Sequence, residues 1–384
     1  MNHPRRHPRS ARVVFGLAIA CGLLAQDVPV LVQRRPDART IPIFKVDPFW
    51  PKPLPHNWYF GAVTSVAVDA RDHVWVLHRP RSLEQRERGL ELGNSQCCVA
   101  APPVVELDPT GTVVQGWGGP GSGFEWLGKT GNEHGIYVDP TDHVWVSEAN
   151  GNGHVVLKFT RTGTLRLQIG ELGKTGGSND HRLLGSPANV WVDATANEVY
   201  IADGYVNRRV IVFDATAGTY KRHWSAYGNR PDDATQDKYD PTAPPRQQFS
   251  PPVHCVRVAR DGLVYVCDRS NNRLQVFRTD GSFVRELVIE RETRDLGPLC
   301  DVAFSRDRDQ QFLYVADCAN DKIHVISRRD LTLVSAFGRK GRHAGELYGP
   351  HFLDVDSKGH LYVAEVFGRR LQKFEYVGLS KLNQ

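Results

Sequence analysis

From position 41 onward, apolar and polar residues alternate in short runs separated by Asp, Gly or Asn. Period-two alternation rich in Val, Ile, Trp and Tyr predicts strands, and helical periodicity is nearly absent. Six stretches align with one another: TSVAVDARDHVWVLHR (64–79), HGIYVDPTDHVWVSEA (134–149), ANVWVDATANEVYIADG (188–204), HCVRVARDGLVYVCDR (254–269), CDVAFSRDRDQQFLYVADC (300–318) and HFLDVDSKGHLYVAEV (351–366). Each opens on an apolar run, passes an Asp- or Gly-containing turn, and ends in a V-W-V or L-Y-V type run. That pattern reads as a β-hairpin.

A third run follows in each copy, such as VVELD (104–108), HVVLKF (154–159) and RLQVF (273–277), and after a further turn most copies add a fourth. Four antiparallel strands over roughly 40 residues is the period of propeller blades. The chain therefore reads as all-β, a six-bladed β-propeller of four-stranded antiparallel blades around a central channel. The sixth copy leaves little chain for its outer strand. The segment IPIFKVD (41–47) precedes the first copy and can supply that strand, which would remove the open edges of the ring. One propeller domain then covers residues 41–380.

The long insertions fall between second and third strands (82–100) or between blades (119–133, 171–186, 229–249 and 339–349). In antiparallel blades these connections share one face with the start of each first strand. Long loops grouped on one face of a rigid scaffold mark the working face.

The leading column of the six copies reads Thr64, His134, Ala188, His254, Cys300, His351. Histidine stands in copies two, four and six, which a closed ring sets about 120° apart. The innermost strand lines the channel, so His134, His254 and His351 can converge on its axis. Three neutral imidazoles with an open fourth position are the donor set of a catalytic zinc. The other twelve of the chain's 15 histidines show no such pattern.

A second column, just past the second strand, reads His78, Glu148, Asp203, Asp268, Asp317, Glu365. Its acids are expected to bind local turn amides. The next column carries two cations, Arg79 and Arg269, and Tyr205 follows one place later in its blade. Guanidinium groups suit bidentate capture of a carboxylate. A tyrosine beside a metal and an arginine is a candidate base.

Composition adds little. Hydrophobic residues make up 40% of the chain, enough for a sizeable core. Residues 1–25 carry Arg5, Arg6, Arg9 and Arg12 and no acid, so the net charge of +5 falls to +1 without them and gives no support to a nucleic-acid partner. These arginines precede the apolar run VVFGLAIACGLLA (13–25), which reads as an export signal too short to span a bilayer. A periplasmic or extracellular location follows, with membrane attachment only if Cys21 is lipidated. Residues 26–40 read as a linker. An exported chain permits disulfides. Cys255 and Cys267 lie on adjacent strands, as do Cys300 and Cys318, and either pair can be bridged or remain buried thiols. Cys97-Cys98 can bridge to each other, pair elsewhere or bind metal.

With ADGYVNRRVIVFDATAGTYKRHWSAYG (202–228), FSPPVHCVRVARDGLVYVCDRSNNRLQVFRTDGSFVREL (249–287) and GPHFLDVDSKGHLYVAEV (349–366), the chain resembles peptidyl-α-hydroxyglycine α-amidating lyase (peptidylamidoglycolate lyase), a relative of NHL-repeat propellers. The resemblance covers about residues 60–376. It implies a zinc held by His134, His254 and His351, catalytic Arg79 and Arg269, and a catalytic Tyr205. It implies cleavage of a peptidyl-α-hydroxyglycine to a peptide amide and glyoxylate, with a small-molecule or peptide substrate bearing a carboxylate, and a monomeric chain. The family also carries a structural calcium, held partly by an Asp after the third histidine. Phe352 stands there, which argues against calcium. Val206 replaces a family cysteine and Gly349 a family methionine. Two other readings compete. A lactonase-like propeller hydrolase would need acidic ligands around calcium. A non-catalytic NHL-type binding module would bind no metal and tolerate Tyr205→Phe.

Overall fold

The computed structural model describes residues 40–381 except 120, 122, 128–131, 150, 151 and 295. The export signal at 1–25, Cys21 and the linker up to residue 39 lie outside the described residues. Six four-stranded antiparallel sheets follow one another around a ring as six blades. Their innermost strands are Ala62–Val68, Glu133–Val138, Pro187–Asp193, Val253–Val258, Leu299–Phe304 and Pro350–Val355. The fold is thus an all-β, six-bladed propeller, and its only helical segments among the described residues are short 3-10 turns.

The last blade is composite. Thr40–Asp47 pairs antiparallel with Arg370–Lys381, from Thr40 opposite Lys381 to Asp47 opposite Lys373, as that blade's outermost strand. Phe44 anchors it, with its ring 5.3 Å from Tyr314, 5.5 Å from Phe337 and 6.0 Å from Tyr376. One hydrophobic side chain therefore ties the first strand to the last two blades.

The core is a ring as well. Buried apolar residues form six clusters, each bridging two neighbouring blades. The cluster around Val66, Val76, Tyr362 and Ala364 joins blade six to blade one and completes the circle. A turn device recurs beneath it. Asp69 and Asp139, at the ends of innermost strands, accept the backbone N–H groups of their hairpin turns and the indole N–H of Trp75 and Trp145. Asp356 does the same with Tyr362 in the sixth blade. In these three blades the Asp of the V-D turn thereby fixes both the hairpin and the aromatic residue that fills the space between blades, whereas in the third blade Asp193 holds only the turn and Tyr200 donates to Glu198.

Every innermost strand carries a β-bulge near its start. The pairing register skips Thr64, His134, Ala188, His254 and Cys300, and in the sixth blade it skips both His351 and Phe352. A bulge leaves the extra residue outside the ladder and re-aims its side chain. The leading column found in the sequence is this bulge column.

The closing strand yields a first prediction. Phe44→Ala should lower unfolding stability by about 2 kcal/mol, the low end for a large-to-small change because the ring is only half-buried. The exposed neighbour change Ile43→Ala should stay within about 0.5 kcal/mol. Urea unfolding of both variants beside the parent chain checks the difference.

Candidate metal centre

The bulges of blades two, four and six deliver three histidines to one point. One ligand nitrogen from each of His134, His254 and His351 lies within 4.8 Å of the others, and all three side chains are buried. Ring centroids are 5.0, 4.8 and 4.8 Å apart.

The hydrogen bonds decide which nitrogen faces inward. His134 Nδ1 lies 2.7 Å from Ala188 O, His254 Nδ1 2.6 Å from Cys300 O, and His351 Nδ1 2.7 Å from Thr64 O. A carbonyl only accepts, so each Nδ1 carries the proton and each Nε2 keeps its lone pair. The accepting residues are the bulge residues of blades three, five and one. Every histidine is thus oriented by the next blade, at the same column position, in the manner by which metal-binding imidazoles are held. His254 Nε2 is buried with no hydrogen-bond partner among the described residues. An orphaned, fully buried acceptor of this kind fits a metal ion, and the donor set suits zinc.

The rings are held neutral. Burial is the largest cause in all three, and it takes His351 down to about 3 and His134 and His254 well below the ordinary value. Neighbouring Arg79 and Arg269 add to the lowering at His134 and His351. Neutral imidazole is the ligand form, so protons do not compete near pH 7.

Tyr205, Arg79 and Arg269 surround this point. The Tyr205 phenol donates to His134 Nε2 at 3.0 Å, and Arg269 Nη1 donates to the same oxygen at 3.5 Å. The Arg269 guanidinium carbon sits 5.7 Å from the Tyr205 ring centroid, and its Nε is buried without a partner among the described residues. Gly204 makes the approach feasible, because a Cβ there would collide with backbone of Val253, the neighbour of His254. Arg79 Nε donates to the carbonyl of Glu133 at 2.9 Å. Burial lowers the Arg79 guanidinium, and Tyr205, Glu133 and Glu148 oppose that. Two guanidiniums beside three neutral imidazoles leave the mouth positive and suited to an anion.

The rim acids do structural work. Asp203 accepts from Gly185 N and Arg209 Nε, Asp268 from Ser250 N and Arg273 Nε, and Glu365 from Tyr348 N and Arg370 Nε. Each arginine is the cross-strand register partner of its acid. His78, in the same column, accepts from Gly61 N through Nδ1 at 3.1 Å and meets Pro102 O through Nε2 at 3.0 Å.

Two features were not read from the sequence, and a third, the cysteine pairing, was left open by it. Phe352, fully buried, lies under the imidazoles, with centroids 5.5, 5.4 and 4.9 Å from His134, His254 and His351. A hydrocarbon ring therefore fills the place next to the three ligands and offers a cation no oxygen. Glu133 and Glu148 face each other across the second blade, and each keeps a buried oxygen without a partner among the described residues. Burial raises both, Glu148 to about 7. Disulfides join Cys97 to Cys98, Cys255 to Cys267 and Cys300 to Cys318. Two further His and carboxylate groupings are already satisfied. Arg161 neutralises the one formed by Asp69, His73 and Glu106, and His324 hydrogen-bonds Asp317 at 2.8 Å.

An NHL repeat family profile matches residues 253–277, which include His254 and Arg269. The chain is 27% identical over 350 residues to NHL repeat-containing protein 3 of Mus musculus, covering 87% of this chain and 84% of that protein. It is 26% identical over 356 residues to peptidyl-alpha-hydroxyglycine alpha-amidating lyase 1 of Drosophila melanogaster, covering 86% of this chain and 60% of that protein. The chain carries an NHL repeat and resembles the amidating lyases. It spans only 22% of the length of the peptidyl-glycine alpha-amidating monooxygenase of Mus musculus, to which it is 25% identical over 242 residues. Among solved structures, a streptogramin B lyase matches with a TM-score of 0.50 at 14% identity over 88% of this chain and 98% of that one, a likeness of fold alone.

The centre makes two predictions. Purified chain dialysed against zinc should retain about one ion by elemental analysis, and His254→Ala should lose it to a mild chelator while its far-UV spectrum stays β. His78 supplies the second. Burial lowers its folded value from 6.5 to about 4. Between these limits the unfolded chain binds a proton that the folded chain refuses, so stability falls as pH drops from about 6.5 to about 4. The contribution is about 1.4 kcal/mol per pH unit. Urea unfolding across that window should show a shallower pH slope for His78→Gln than for the parent chain.

Proposed function

We propose that the chain is a zinc-dependent carbon–nitrogen lyase that cleaves an α-hydroxyglycine-type hemiaminal to an amide and glyoxylate. The observation that carries the reading is the convergence of three histidine Nε2 atoms, the Tyr205 hydroxyl and two guanidiniums on one mouth. Similarity to proteins named as amidating lyases supports it.

His134, His254 and His351 would hold the metal, which when bound supplies a Lewis acid at the mouth. Arg79 and Arg269 hold the substrate carboxylate, and their charge is then matched rather than left in a desolvated cavity. Tyr205, whose oxygen lies 3.0 Å from His134 Nε2, would act as the phenolate, its own proton displaced when the metal occupies that nitrogen; it takes the proton of the substrate hydroxyl and returns it to the departing amide nitrogen. As that oxygen becomes the aldehyde oxygen of glyoxylate, the C–N bond breaks and the amide nitrogen takes up a proton. No electron acceptor is required. The arginines then face the carboxylate of departing glyoxylate, and Phe352 closes the floor against water.

The reading includes a monomeric, exported chain, with membrane attachment only through Cys21 and no nucleic-acid partner. Three disulfides and a basic-then-apolar leader are its support for export. The competing reading is a non-catalytic propeller. Similarity to NHL repeat-containing protein 3, whose name states no reaction, favours it.

Glyoxylate release from N-acetyl-α-hydroxyglycine by the zinc-loaded chain separates the two. Tyr205→Phe should lower kcat by about 100-fold or more with little change in KM, since it removes a proton acceptor rather than a binding group. Unaltered turnover in Tyr205→Phe would remove the proposed base, and zinc binding without glyoxylate would remove the lyase.

A further inference from the structure

A groove of about 600 Å³ opens on the rim at blades five and six; Leu296, Cys318, Tyr348 and Phe367 supply its apolar lining, and charged residues, Glu290 and Lys340 among them, supply much of the rest. It adjoins the metal centre at two places. On one side stands Cys318, whose disulfide partner Cys300 meets Arg269 Nη1 at 4.0 Å and accepts the His254 Nδ1 proton. On the other, the Phe367 ring lies over the bare α-carbon of Gly349, two residues before His351. Any Cβ at position 349 would strike that ring, and Gly349 itself has φ +66.

The column after the rim acids shows why this quarter differs from the rest. It carries Arg79 in blade one and Arg269 in blade four, and Tyr205 follows it in blade three, whereas blades five and six present Cys318 and Val366. A substrate whose carboxylate lies between the two arginines and whose hydroxyl faces Tyr205 has its uncharged remainder left for the sector between Arg269 and Arg79. There Phe367 is 50% exposed and Leu296 44% exposed, and the Tyr348 ring packs at a tilt against Phe367, 5.4 Å between centroids. Large apolar side chains left half in water beside a polar centre mark a place where an apolar ligand group is covered.

We infer that this groove is the subsite for the acyl part of the substrate and selects an apolar, aromatic-sized acyl group. The inference rests on the lyase reading for the identity of the carboxylate end. Calorimetric titration of the zinc-loaded full chain with N-acetylglycine and N-(3-phenylpropanoyl)glycine tests it without turnover, since neither carries the α-hydroxyl whose deprotonation drives C–N cleavage. The phenyl ligand should bind about tenfold more tightly, Phe367→Ala should remove most of that ratio, and Phe367→Leu should keep part of it. Equal affinities, no binding of either ligand, or an unaltered ratio in Phe367→Ala would overturn the subsite. The matching α-hydroxyglycines serve as the second arm. If neither releases glyoxylate while the tenfold ratio persists, the lyase reading fails and the groove stands as an apolar-acyl carboxylate site.

Discussion

Three hydrogen bonds hold the centre, each from an imidazole Nδ1 to a carbonyl in the next blade. They exist because the innermost strands bulge at one shared position. The bulge in an even-numbered blade takes its histidine out of the ladder and turns it to the axis. The bulge in the following odd-numbered blade presents a carbonyl that the ladder has not claimed. Donor and acceptor columns are the same column, read in alternate copies. The arrangement therefore requires a closed ring, because His351 in the last blade is oriented by Thr64 in the first. The composite sixth blade and the cluster joining it to blade one are thus part of the site's support as well as the fold's.

Orientation by carbonyls has an electrostatic consequence. A carboxylate in the same place would raise the basicity of each ring and favour its protonation. A neutral carbonyl fixes the tautomer without that effect, and burial then keeps the rings uncharged. The positive charge beside the rings comes from Arg79 and Arg269. Phe352 sharpens the division, since it closes the inner side with hydrocarbon and leaves the rim as the polar side. In the sixth blade His351 and Phe352 on one strand and Ala364 on the other lack register partners, so the net shift is one residue, as in the other blades.

The repeat, its blade count, the closing strand and the histidine column were all legible in the sequence, because each follows from a period that recurs along the chain. The rim acids were legible for the same reason, and Asp203, Asp268 and Glu365 sit on backbone amides as their column suggested. What recurs only once was not. Nothing in the pattern around Phe352 shows which way its side chain turns, so its place beneath the ligands was hidden. The disulfides depended on Cα separations that strand assignment leaves open: Cys255 and Cys267 are direct register partners, whereas Cys300 is itself a bulge residue and reaches Cys318 beyond the end of its strand. The pairing of Glu133 with Glu148 depended on the register across one bulge.

Scaffold and chemistry are separable in this chain. The Asp-capped hairpins, the inter-blade clusters and the acid–arginine register pairs would hold with any residue of suitable size in the bulge column. They account for a likeness to NHL repeat-containing protein 3 as readily as for a likeness to the amidating lyases. Identity over the whole chain therefore weighs little in the choice between a binding ring and an enzyme. The choice turns on positions the scaffold does not need. Three buried histidines are costly to keep where an apolar residue would pack as well, and one of them leaves a ring nitrogen with no partner among the described residues. Arg269 likewise keeps a buried guanidine N–H unpaired among the described residues beside them. Buried polar atoms without a partner among the described residues also occur elsewhere, at Trp50, Trp224 and Arg285 for example, so kind decides rather than number: at the mouth an acceptor imidazole and a donor guanidinium stand unmet side by side, and the proposed metal ion and anionic substrate would meet one each.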